Sequence, residues 1–334
     1  MEDIISLSYG NGGTKTDSLI KKYLLPNFGN NLLNVLGDGA LLNTSNEIAF
    51  STDSFVIYPL FFPGGDIGKL SVCGTVNDLL MCGSIPKYLS LSFIIEEGFL
   101  INDFEKIVKS VALTVEKAGV QIVTGDTKVV DKGHGHGIYI NTSGIGERIK
   151  GINLGKHRIN PGDKVIVTGN CGDHGISVLC AREKLFEGNL KSDCNPLNNV
   201  IYEILKFGDK VKILRDPTRG GVATTLNEFA EDTEICIELD ENKIPVDKSI
   251  GSACDLLGLD PLYSANEGKA IAIVSAEVCD NVIDNLKKID ISKDAAVIGE
   301  VTSFMPGKVI LNTPYGGRKI LNKLSYDMLP RICW

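Results

Sequence analysis

The sequence predicts a soluble α/β (α+β) protein of two domains. Segments with strand-like alternation and segments with helix-like periodicity follow one another along both halves of the chain. A polar, glycine-containing link at residues 150–162 separates the halves. The chain has 334 residues, of which 43% are hydrophobic, and is therefore long enough for two compact cores. We predict domains at 1–150 and 151–313, followed by a mobile tail at 314–334.

Each element is predicted from its own pattern, in chain order. In the first half, we expect strands at 47–51, 87–95 and 137–146, and helices at 66–81 and 102–117. In the second half, we expect strands at 164–168, 234–239, 269–274, 295–302 and 308–311, and helices at 174–183, 195–206 and 218–231. Asp216 and Pro217 are expected to open the last helix as its N-cap and first-turn proline.

Composition and charge exclude several classes of protein. The chain carries 34 Lys and Arg against 42 Asp and Glu, a net charge of -8, which argues against electrostatic binding of nucleic acid. No apolar run approaches the roughly 18 residues of a membrane helix, and Met1-Glu2-Asp3 lacks the basic region of a signal peptide. We therefore predict a cytoplasmic protein that contacts neither nucleic acid nor membrane.

The cysteines do not indicate a disulfide framework. Nine cysteines occur without a Cys-x-x-Cys pair, and the nearest pairs are spaced so that they cannot share a metal on one helix face. We expect most of them in the core, as small apolar residues. Cys333 is the exception, because a thiol next to the C-terminus, in a segment expected to be mobile, is available for chemistry.

Aspartates beside small or polar residues recur along the chain. They are Asp38, Asp53, Asp78, Asp126 and Asp216. No His or Cys is spaced to join them, so their convergence would suit a hard, oxygen-preferring ion such as Mg²⁺, with phosphates as further ligands. The alternative for each aspartate is a simple turn or helix cap. Taken together, the five favour a magnesium site.

Two glycine-rich segments and three of the histidines are further candidates for ligand binding. The segments at 10–13 and 64–66 are candidate phosphate cradles, although neither fits the P-loop pattern and no dinucleotide fingerprint is present. For His134 and His136, an exposed hairpin or a loop that contacts nucleotide is favoured over zinc, because no Cys or acidic ligand has metal spacing. His174 is expected at a helix start rather than as a general base.

Eight motifs, distributed nearly from end to end of the chain, point to one family. They are FSTDSFV at 50–56, PLFFPGGDIGKL at 59–70, CGTVNDL at 73–79, VTGDTKVV at 123–130, GDHG at 172–175, RDPTRGG at 215–221, NEGK at 266–269 and PRIC at 330–333. Together they resemble the HypE family, the carbamoyl dehydratases of NiFe-hydrogenase maturation. The aspartate motifs are shared with the wider superfamily of aminoimidazole ribonucleotide synthetase, selenophosphate synthetase and thiamine-monophosphate kinase, whereas the C-terminal PRIC is the narrow discriminator.

The resemblance implies an aminoimidazole ribonucleotide synthetase-like fold with mixed sheets, whose N-terminal domain binds ATP and dimerises through its sheet. It also implies a reaction, in which a carbamoyl group on Cys333 is dehydrated with ATP to a thiocyanate that supplies the cyanide ligands of the hydrogenase iron. The implied partners are the carbamoyltransferase HypF, the iron-carrying scaffold proteins HypC and HypD, and a second copy of the chain. Another ATP-using enzyme of the superfamily and a non-enzymatic adaptor are the alternatives.

The resemblance further implies roles for individual residues. Cys333, Lys128 and Glu267 are implied to be catalytic, with Glu267 taking a proton from the carbamoyl nitrogen while Lys128 steadies phosphate or developing charge. A structural salt bridge is the alternative for Lys128 and Glu267. ATP is expected at Gly12, Gly13, Lys15, Thr52, Asp53, Asn77, Gly125, Asp126, Thr127 and Arg219, and Mg²⁺ at Asp38, Asp53, Asp78, Asp126 and Asp216. The chain departs from the family pattern by ending with Trp334 after its cysteine.

Overall fold

The computed structural model describes residues 4–6, 18–31, 33–35, 47–186 and 190–323. A π-helical turn at Ile20–Leu24 leads into the first α-helix. The elements of the N-terminal half are α1 (Leu25–Phe28), β1 (Ile48–Phe55), β2 (Phe61–Phe62), β3 (Gly65–Asp66), α2 (Ile67–Met81), β4 (Ser84–Glu96), α3 (Ile101–Ala118), β5 (Gln121–Val130) and β6 (Ile138–Arg148).

The N-terminal sheet has the strand order β1-β6-β4-β5, and the two long helices cover one of its faces. Its strands pair antiparallel except for β4 and β5, which run parallel. On the covered face, Phe93 of β4 meets Phe104 of α3 edge to face, whereas the next residue, Ile94, is 44% exposed. The exposed apolar residues of the uncovered face, called the outer apolar patch below, are Ile48, Phe50, Ile85 and Ile94.

The C-terminal half contains a second, larger sheet with helices packed on it. Its elements are β7 (Lys164–Val167), α4 (Asp173–Glu183), α5 (Asn198–Leu205), β8 (Val211–Arg215), α6 (Gly221–Ala230), β9 (Cys236–Asp240), α7 (Lys248–Leu257), β10 (Ile271–Val274), α8 (Cys279–Leu286), β11 (Ala296–Thr302), β12 (Lys308–Asn312) and β13 (Arg318–Leu321). The strand order is β13-β12-β9-β11-β7-β10-β8. Strands β9 and β12 run parallel and the other neighbours antiparallel. Both sheets are therefore mixed, as predicted.

The two halves share a hydrophobic core across helix α2. Cys73 of α2 belongs to the same buried cluster as Leu197 of the C-terminal half. Asn77 is 1% exposed, and its side chain accepts a 2.9 Å hydrogen bond from the Leu197 N–H and donates one of 3.1 Å to the Asn195 carbonyl. Residues 190–197, called the junction segment below, therefore fasten the C-terminal half to α2.

The structure corrects several predicted elements. The sequence patterns did not indicate β5, β8, β13, α7 or α8. The helix predicted at 218–231 begins at Gly221, because its N-cap is Gly220 in the left-handed conformation with φ 72°, and Asp216-Pro217 lie before it. Strand β13 lies inside the predicted tail, and Leu321 is its single buried residue, so it lacks the alternation that would mark a strand. The second sheet therefore extends beyond residue 313.

One prediction about a residue class is confirmed within the described residues. The described cysteines are buried apart from Cys82, as expected of small core residues. In the same part of the chain, no helix has the length and apolar character needed to cross a membrane.

Candidate functional site

The candidate site lies where β1, α2 and the turn after β8 meet. Asp53 is on the face of β1 that points toward the helices, because β1 buries alternate residues. A Cβ at Gly74 of α2 would lie 3.5 Å from the Asp53 Oδ2 atom, so strand and helix approach closely here. Asp78, one turn further along α2, accepts a 2.7 Å hydrogen bond from the Ser51 hydroxyl. Asp53 and Asp78, together with Asp216 after β8, are called the aspartate cluster below.

The three carboxylates of the aspartate cluster repel one another. Burial raises the pKa of Asp53 and the neighbouring Asp78 raises it further, while Arg219 acts in the opposite direction. Asp216 is 8% exposed, and burial followed by the charge of Asp78 raises its pKa to about 7. Arg219 therefore balances only part of the negative charge, and a bound cation would be stabilised at this position.

The donor set of the aspartate cluster suits magnesium without being a complete metal cage. Carboxylate oxygens are preferred ligands of Mg²⁺, which usually keeps several positions for water and phosphate oxygens. Among the residues that the structure describes, no three His, Cys, Asp or Glu side chains are arranged to hold an ion. Asp38 lies outside the described residues. The residues thus fit a metal whose coordination is completed by bound phosphates.

Glu267 borders the aspartate cluster in an environment that favours its protonated form. Although part of the residue is accessible to solvent, burial of its carboxyl group raises the pKa of Glu267 well above the usual value, and the neighbouring Cys194, Asp216 and Asp193 raise it further. A protonated carboxyl donates a proton and cannot accept one. The expected role of Glu267 as a base therefore requires a positive charge nearby, which would lower this pKa.

Asp126 and Lys128 form a separate, exposed ion pair on β5. The Lys128 Nζ and Asp126 Oδ1 atoms are 2.8 Å apart, with side chains 62% and 58% exposed, and the Thr127 N–H also donates to Asp126 at 2.8 Å. Gly125 of β5 is in register with Asp53 of β1 through one residue on β4 and one on β6. The ion pair on β5 is therefore three strand spacings, roughly 14 Å, away from Asp53. Asp126, one residue after Gly125, points to the uncovered face. Within one chain, Asp126 is therefore not part of the aspartate cluster, contrary to the predicted five-aspartate site.

The remaining predicted ATP contacts are in different environments. Thr52 lies on the uncovered face, where the Ser143 hydroxyl donates to its Oγ1 at 2.8 Å. At Gly125, a Cβ would lie 2.1 Å from the Leu91 carbonyl oxygen, so a side chain cannot be accommodated. Asn77 differs from its predicted role, because its buried amide joins the domains instead of facing a ligand. Gly12, Gly13, Lys15 and Cys333 lie outside the described residues.

The glycine-rich start of α2 is not a phosphate cradle, and the prediction for 64–66 is wrong. The Asp66 carboxylate accepts hydrogen bonds from the N–H groups of Gly68 and Lys69 at 2.8 and 3.2 Å, and from the Ser110 hydroxyl at 2.5 Å. This carboxylate already satisfies the N–H groups that would hold an anion, and its charge repels a phosphate.

The histidines show structural contacts. His174, near the start of α4, is 1% exposed, its Nδ1 lies 2.8 Å from the Ser192 hydroxyl, and burial lowers its pKa to about 4. It is therefore neutral and structural, as expected for a residue at a helix start. His136 lies in the exposed loop before β6, with its Nδ1 2.8 Å from the Tyr139 hydroxyl. No zinc-type ligand group is found around it in the part of the chain that the structure describes.

Two charged residues that the sequence analysis did not assign to the site support the loop of Glu267. Asp193 accepts hydrogen bonds from the N–H groups of Glu267 and Gly268, both at 3.1 Å. Lys269 Nζ lies 3.8 Å from Asp193 and 3.9 Å from Asp173, whose pKa burial raises to about 7. Asp193 belongs to none of the recognised motifs, whereas Lys269 is part of NEGK and could have been singled out.

Comparisons with known proteins cover both halves of the chain. The family model described as "AIR synthase related protein, N-terminal domain" matches residues 36–148, and "AIR synthase related protein, C-terminal domain" matches residues 160–310. Carbamoyl dehydratase HypE of Azotobacter vinelandii is 42% identical over 331 residues, covering 98% of this chain and 97% of that protein. Carbamoyl dehydratase HypE of Escherichia coli K12 is 43% identical over 336 residues, covering 98% and 99%.

Among solved structures, too, the chain is similar to HypE proteins. The crystal structure of hydrogenase maturation protein HypE in complex with ATP is 42% identical in sequence and superimposes with a TM-score of 0.94 over 98% of this chain and 99% of that chain. A chain of the HypE–HypF complex is 46% identical, with a TM-score of 0.81 over 92% and 100%. A thiamine monophosphate kinase from Aquifex aeolicus shares the fold, with 18% identity and a TM-score of 0.60 over 81% and 91%.

Proposed function

The chain belongs to the HypE family of carbamoyl dehydratases of hydrogenase maturation, and we propose that it converts a carbamoyl group on its own Cys333 into a thiocyanate at the expense of ATP. The observation that carries the proposal is the aspartate cluster at the domain junction, with Glu267 beside it. Neighbouring buried carboxylates are unfavourable in a free protein, and a metal-bound nucleotide supplies the compensating cation.

The phosphates of ATP are proposed to bind at the aspartate cluster. The similarity to a HypE structure in complex with ATP supports this assignment. Asp53, Asp78 and Asp216 would hold Mg²⁺, which when bound neutralises charge on the transferred phosphoryl group. Arg219, whose charge acts on Asp53, would bind a phosphate oxygen. Further nucleotide contacts are proposed for Gly12, Gly13 and Lys15, and a further metal contact for Asp38.

The proposed reaction turns a poor leaving group into a good one. The carbamoyl oxygen attacks the γ-phosphorus of ATP, the bond to ADP breaks, and the oxygen becomes esterified to phosphate. The nitrogen then loses both protons while the carbon–oxygen bond breaks, which forms the carbon–nitrogen triple bond of the thiocyanate. One proton is carried away by phosphate and the other is released, and nothing is oxidised or reduced.

Glu267 is proposed to take one of the nitrogen protons. A cation bound at the aspartate cluster would lower the pKa of Glu267, so that the carboxylate form needed for this step arises when the nucleotide is bound. The same electrostatic coupling would keep the base inactive before ATP arrives.

Lys128 is proposed to act from a second copy of the chain. The outer apolar patch, with Phe50 65% and Ile48 48% exposed, offers a face on which a second copy can pack. A two-fold axis parallel to the strands would bring β5 of the partner opposite β1, because these strands form the two edges of the sheet. The exposed pair of Asp126 and Lys128 would then lie beside β1 of the other chain, the edge strand that carries Asp53, and would contribute to the nucleotide site around this edge of the sheet.

Cys333 is proposed to visit its loading and unloading partners as well as its own site. About twelve residues separate it from Leu321, the end of β13, and a chain of this length spans up to roughly 40 Å. HypF is the proposed carbamoyl donor, supported by the similarity to a HypE–HypF complex, and iron-carrying HypC–HypD the proposed cyanide acceptor. The cytoplasm is the proposed compartment, since it keeps thiols reduced.

Mass spectrometry of the C-terminal peptide tests the proposal. Full-length protein is carbamoylated by the donor enzyme and isolated, and ATP is then added. The wild-type peptide is expected to lose one water after ATP addition, and Cys333→Ala is expected to bind ATP but to carry no carbamoyl group. Cys82→Ala is the matched control, because Cys82 is the exposed cysteine of the described residues. A carbamoylated Cys333→Ala peptide, or an unchanged wild-type mass after ATP addition, would refute the proposal.

A further inference from the structure

Asp193 lies beneath the loop that carries Glu267. Its side chain is 1% exposed, its Oδ1 accepts the Glu267 N–H at 3.1 Å, and its Oδ2 accepts the Gly268 N–H at 3.1 Å. Each oxygen of the carboxylate thus holds one of two consecutive peptide groups, with charge-assisted hydrogen bonds. This arrangement fixes the direction in which the Glu267 side chain leaves the backbone.

Backbone contacts restrict the same loop. A Cβ at Gly268 would lie 1.8 Å from the carbonyl oxygen of Asp193. The Asn195 N–H donates to the Glu267 carbonyl at 3.3 Å. The junction segment therefore touches the Glu267 loop on both sides of Glu267, and a movement of one requires a movement of the other.

The charge of Asp193 is compensated locally. Lys269, whose side chain is 9% exposed, lies between Asp193 at 3.8 Å and Asp173 at 3.9 Å. A buried carboxylate without such a partner would be strongly unfavourable. The Lys269 ammonium, which is shared between the two carboxylates, therefore offsets part of the cost of burying Asp193 without involving the aspartate cluster.

The Glu267 loop is connected to the aspartate cluster from two directions. Asn77, the neighbour of Asp78 in α2, holds the junction segment through two hydrogen bonds. On the other side, the Asn266 side chain donates to the carbonyl of Pro217, the residue after Asp216, at 3.3 Å. The position of Glu267 relative to the proposed metal ligands therefore depends on the junction segment that Asp193 ties to the loop.

We propose that Asp193 is a positioning residue of the dehydration step, which sets the Glu267 side chain relative to the aspartate cluster and takes no part in nucleotide binding. The inference rests on the function proposed above for Glu267 and adds a residue outside the recognised motifs. A purely stabilising role would instead lower folding stability without a selective effect on the chemical step.

The first test is Asp193→Asn in the full-length, carbamoylated protein. The amide keeps the size of the side chain but can accept only one of the two N–H groups. The single-turnover rate of dehydration is expected to fall about 10- to 100-fold, with an unchanged KM for ATP. Asp163→Asn is the matched control, because Asp163 is also buried and accepts the Asn160 N–H at 2.8 Å, but precedes β7 at the end of the strand remote from Glu267.

A double-mutant cycle with Glu267→Gln distinguishes positioning from stability. If Asp193 acts through Glu267, Asp193→Asn lowers the rate of the Glu267→Gln protein little or not at all. An equal loss in both backgrounds, or a KM for ATP that rises with the loss of rate, overturns the inference while leaving the proposed function intact. A Glu267→Gln protein with the wild-type rate overturns the role proposed for Glu267 and the positioning role with it.

A second variant keeps the test decisive should Asp193→Asn fail to fold. Asp193→Asn/Lys269→Gln/Asp173→Asn removes all three members of the buried ion pairs, so that neither a lysine nor a carboxylate is left uncompensated beside the loop. The expected result is the same selective loss in the rate of dehydration, and a wild-type rate would contradict the inference.

Discussion

The aspartate cluster and the exposed pair on β5 both contain aspartates, but the pKa values of these aspartates are shifted in opposite directions. Asp216 and Asp126 both stand in short motifs with glycine and threonine, yet burial raises the pKa of Asp216 to about 7, while the hydrogen bond from Lys128 lowers the pKa of Asp126. One aspartate lies at the domain junction and the other on the uncovered face of the N-terminal sheet. Similar motifs therefore do not imply similar pKa values. Burial acts on Asp216 and the ion pair with Lys128 acts on Asp126, and the two effects have opposite directions.

The comparison also assigns different tasks to the two regions. The aspartate cluster is unfavourable until a cation arrives, and therefore suits a ligand that brings its own metal. The pair of Asp126 and Lys128 is satisfied within its own chain and is accessible to a second copy. The proposed site requires both regions, and the following experiments measure the contribution of each region separately.

The largest expected effect is on the aspartate cluster. Asp78→Asn keeps the size of the side chain and removes one ligand charge, so we expect ATP-dependent dehydration to fall about 10²- to 10³-fold. Stability against urea should rise at the same time, because Asp78 raises the pKa values of Asp53 and Asp216 by repulsion. Asp126→Asn should not stabilise the protein. An equal gain in stability from both variants would remove the contrast between the two regions.

The second experiment mixes two inactive proteins. In a 1:1 mixture of Lys128→Ala and Glu267→Gln chains, half of the dimers are mixed, and one of the two sites in each mixed dimer is intact if each site uses both chains. The dehydration activity is then expected to be about a quarter of the wild-type value. Each variant alone is the control. A mixture as inactive as its components would show that Lys128 and Glu267 act from the same chain or not together.

The third experiment uses pH. The folded-state pKa of Asp216, about 7, lies above the usual aspartate value of 3.8, so the folded state binds the proton more tightly than the unfolded chain does. The contribution of Asp216 to stability therefore increases as pH falls from 8 to 5 and is lost as pH rises through about 7. We expect Asp216→Asn to be stabilised relative to wild type at pH 8, with a smaller difference at pH 5.

Urea denaturation at the two pH values measures this difference. Asp173 acts in the same direction as Asp216, whereas His174, with its pKa lowered to about 4, destabilises the fold below about pH 6.5. The comparison is therefore made between the Asp216→Asn variant and wild type at each pH. A difference that is equal at pH 5 and pH 8 would contradict the raised pKa of Asp216.

The smallest effect is expected at the exposed pair. Lys128→Gln removes an ion pair whose side chains are more than half exposed, so the free energy of unfolding should change by no more than about 0.5 kcal/mol. Thermal and urea unfolding of the variant measure it. A loss well above 1 kcal/mol, on the order of a buried ion pair, would mean that Lys128 supports the fold of its own chain.

The long helices were predictable from the sequence. Helix α2 was expected at 66–81 and lies at Ile67–Met81, and α3 was expected at 102–117 and lies at Ile101–Ala118. Helix α3 buries one face and therefore shows a helical period, whereas α2 is buried on almost every side and is indicated by the length of its apolar stretch. Strand β13 has four residues and β8 five, and neither alternates clearly between buried and exposed positions, so their sequences carry little information.

The candidate site was predictable in its residue types and only partly in its geometry. Asp53, Asp78 and Asp216 interact electrostatically, as expected of a shared site. The separation of Asp126 depends on the order of strands in the sheet, which no local pattern reveals. Asp193 could not be found from its surroundings in the sequence, because its hydrogen bond to Glu267 joins residues 74 positions apart.

The close approach of Gly268 to Asp193 limits how this site can change over evolutionary time. The atom that excludes a Cβ at position 268 is a backbone carbonyl oxygen, which every amino acid at position 193 would also carry. No compensating substitution can therefore open space there, and an insertion in either segment would disturb both. A related protein that evolves a different substrate is therefore expected to change side chains around an unchanged backbone. Glycine at position 268 would be retained even in a related protein that lacks Glu267.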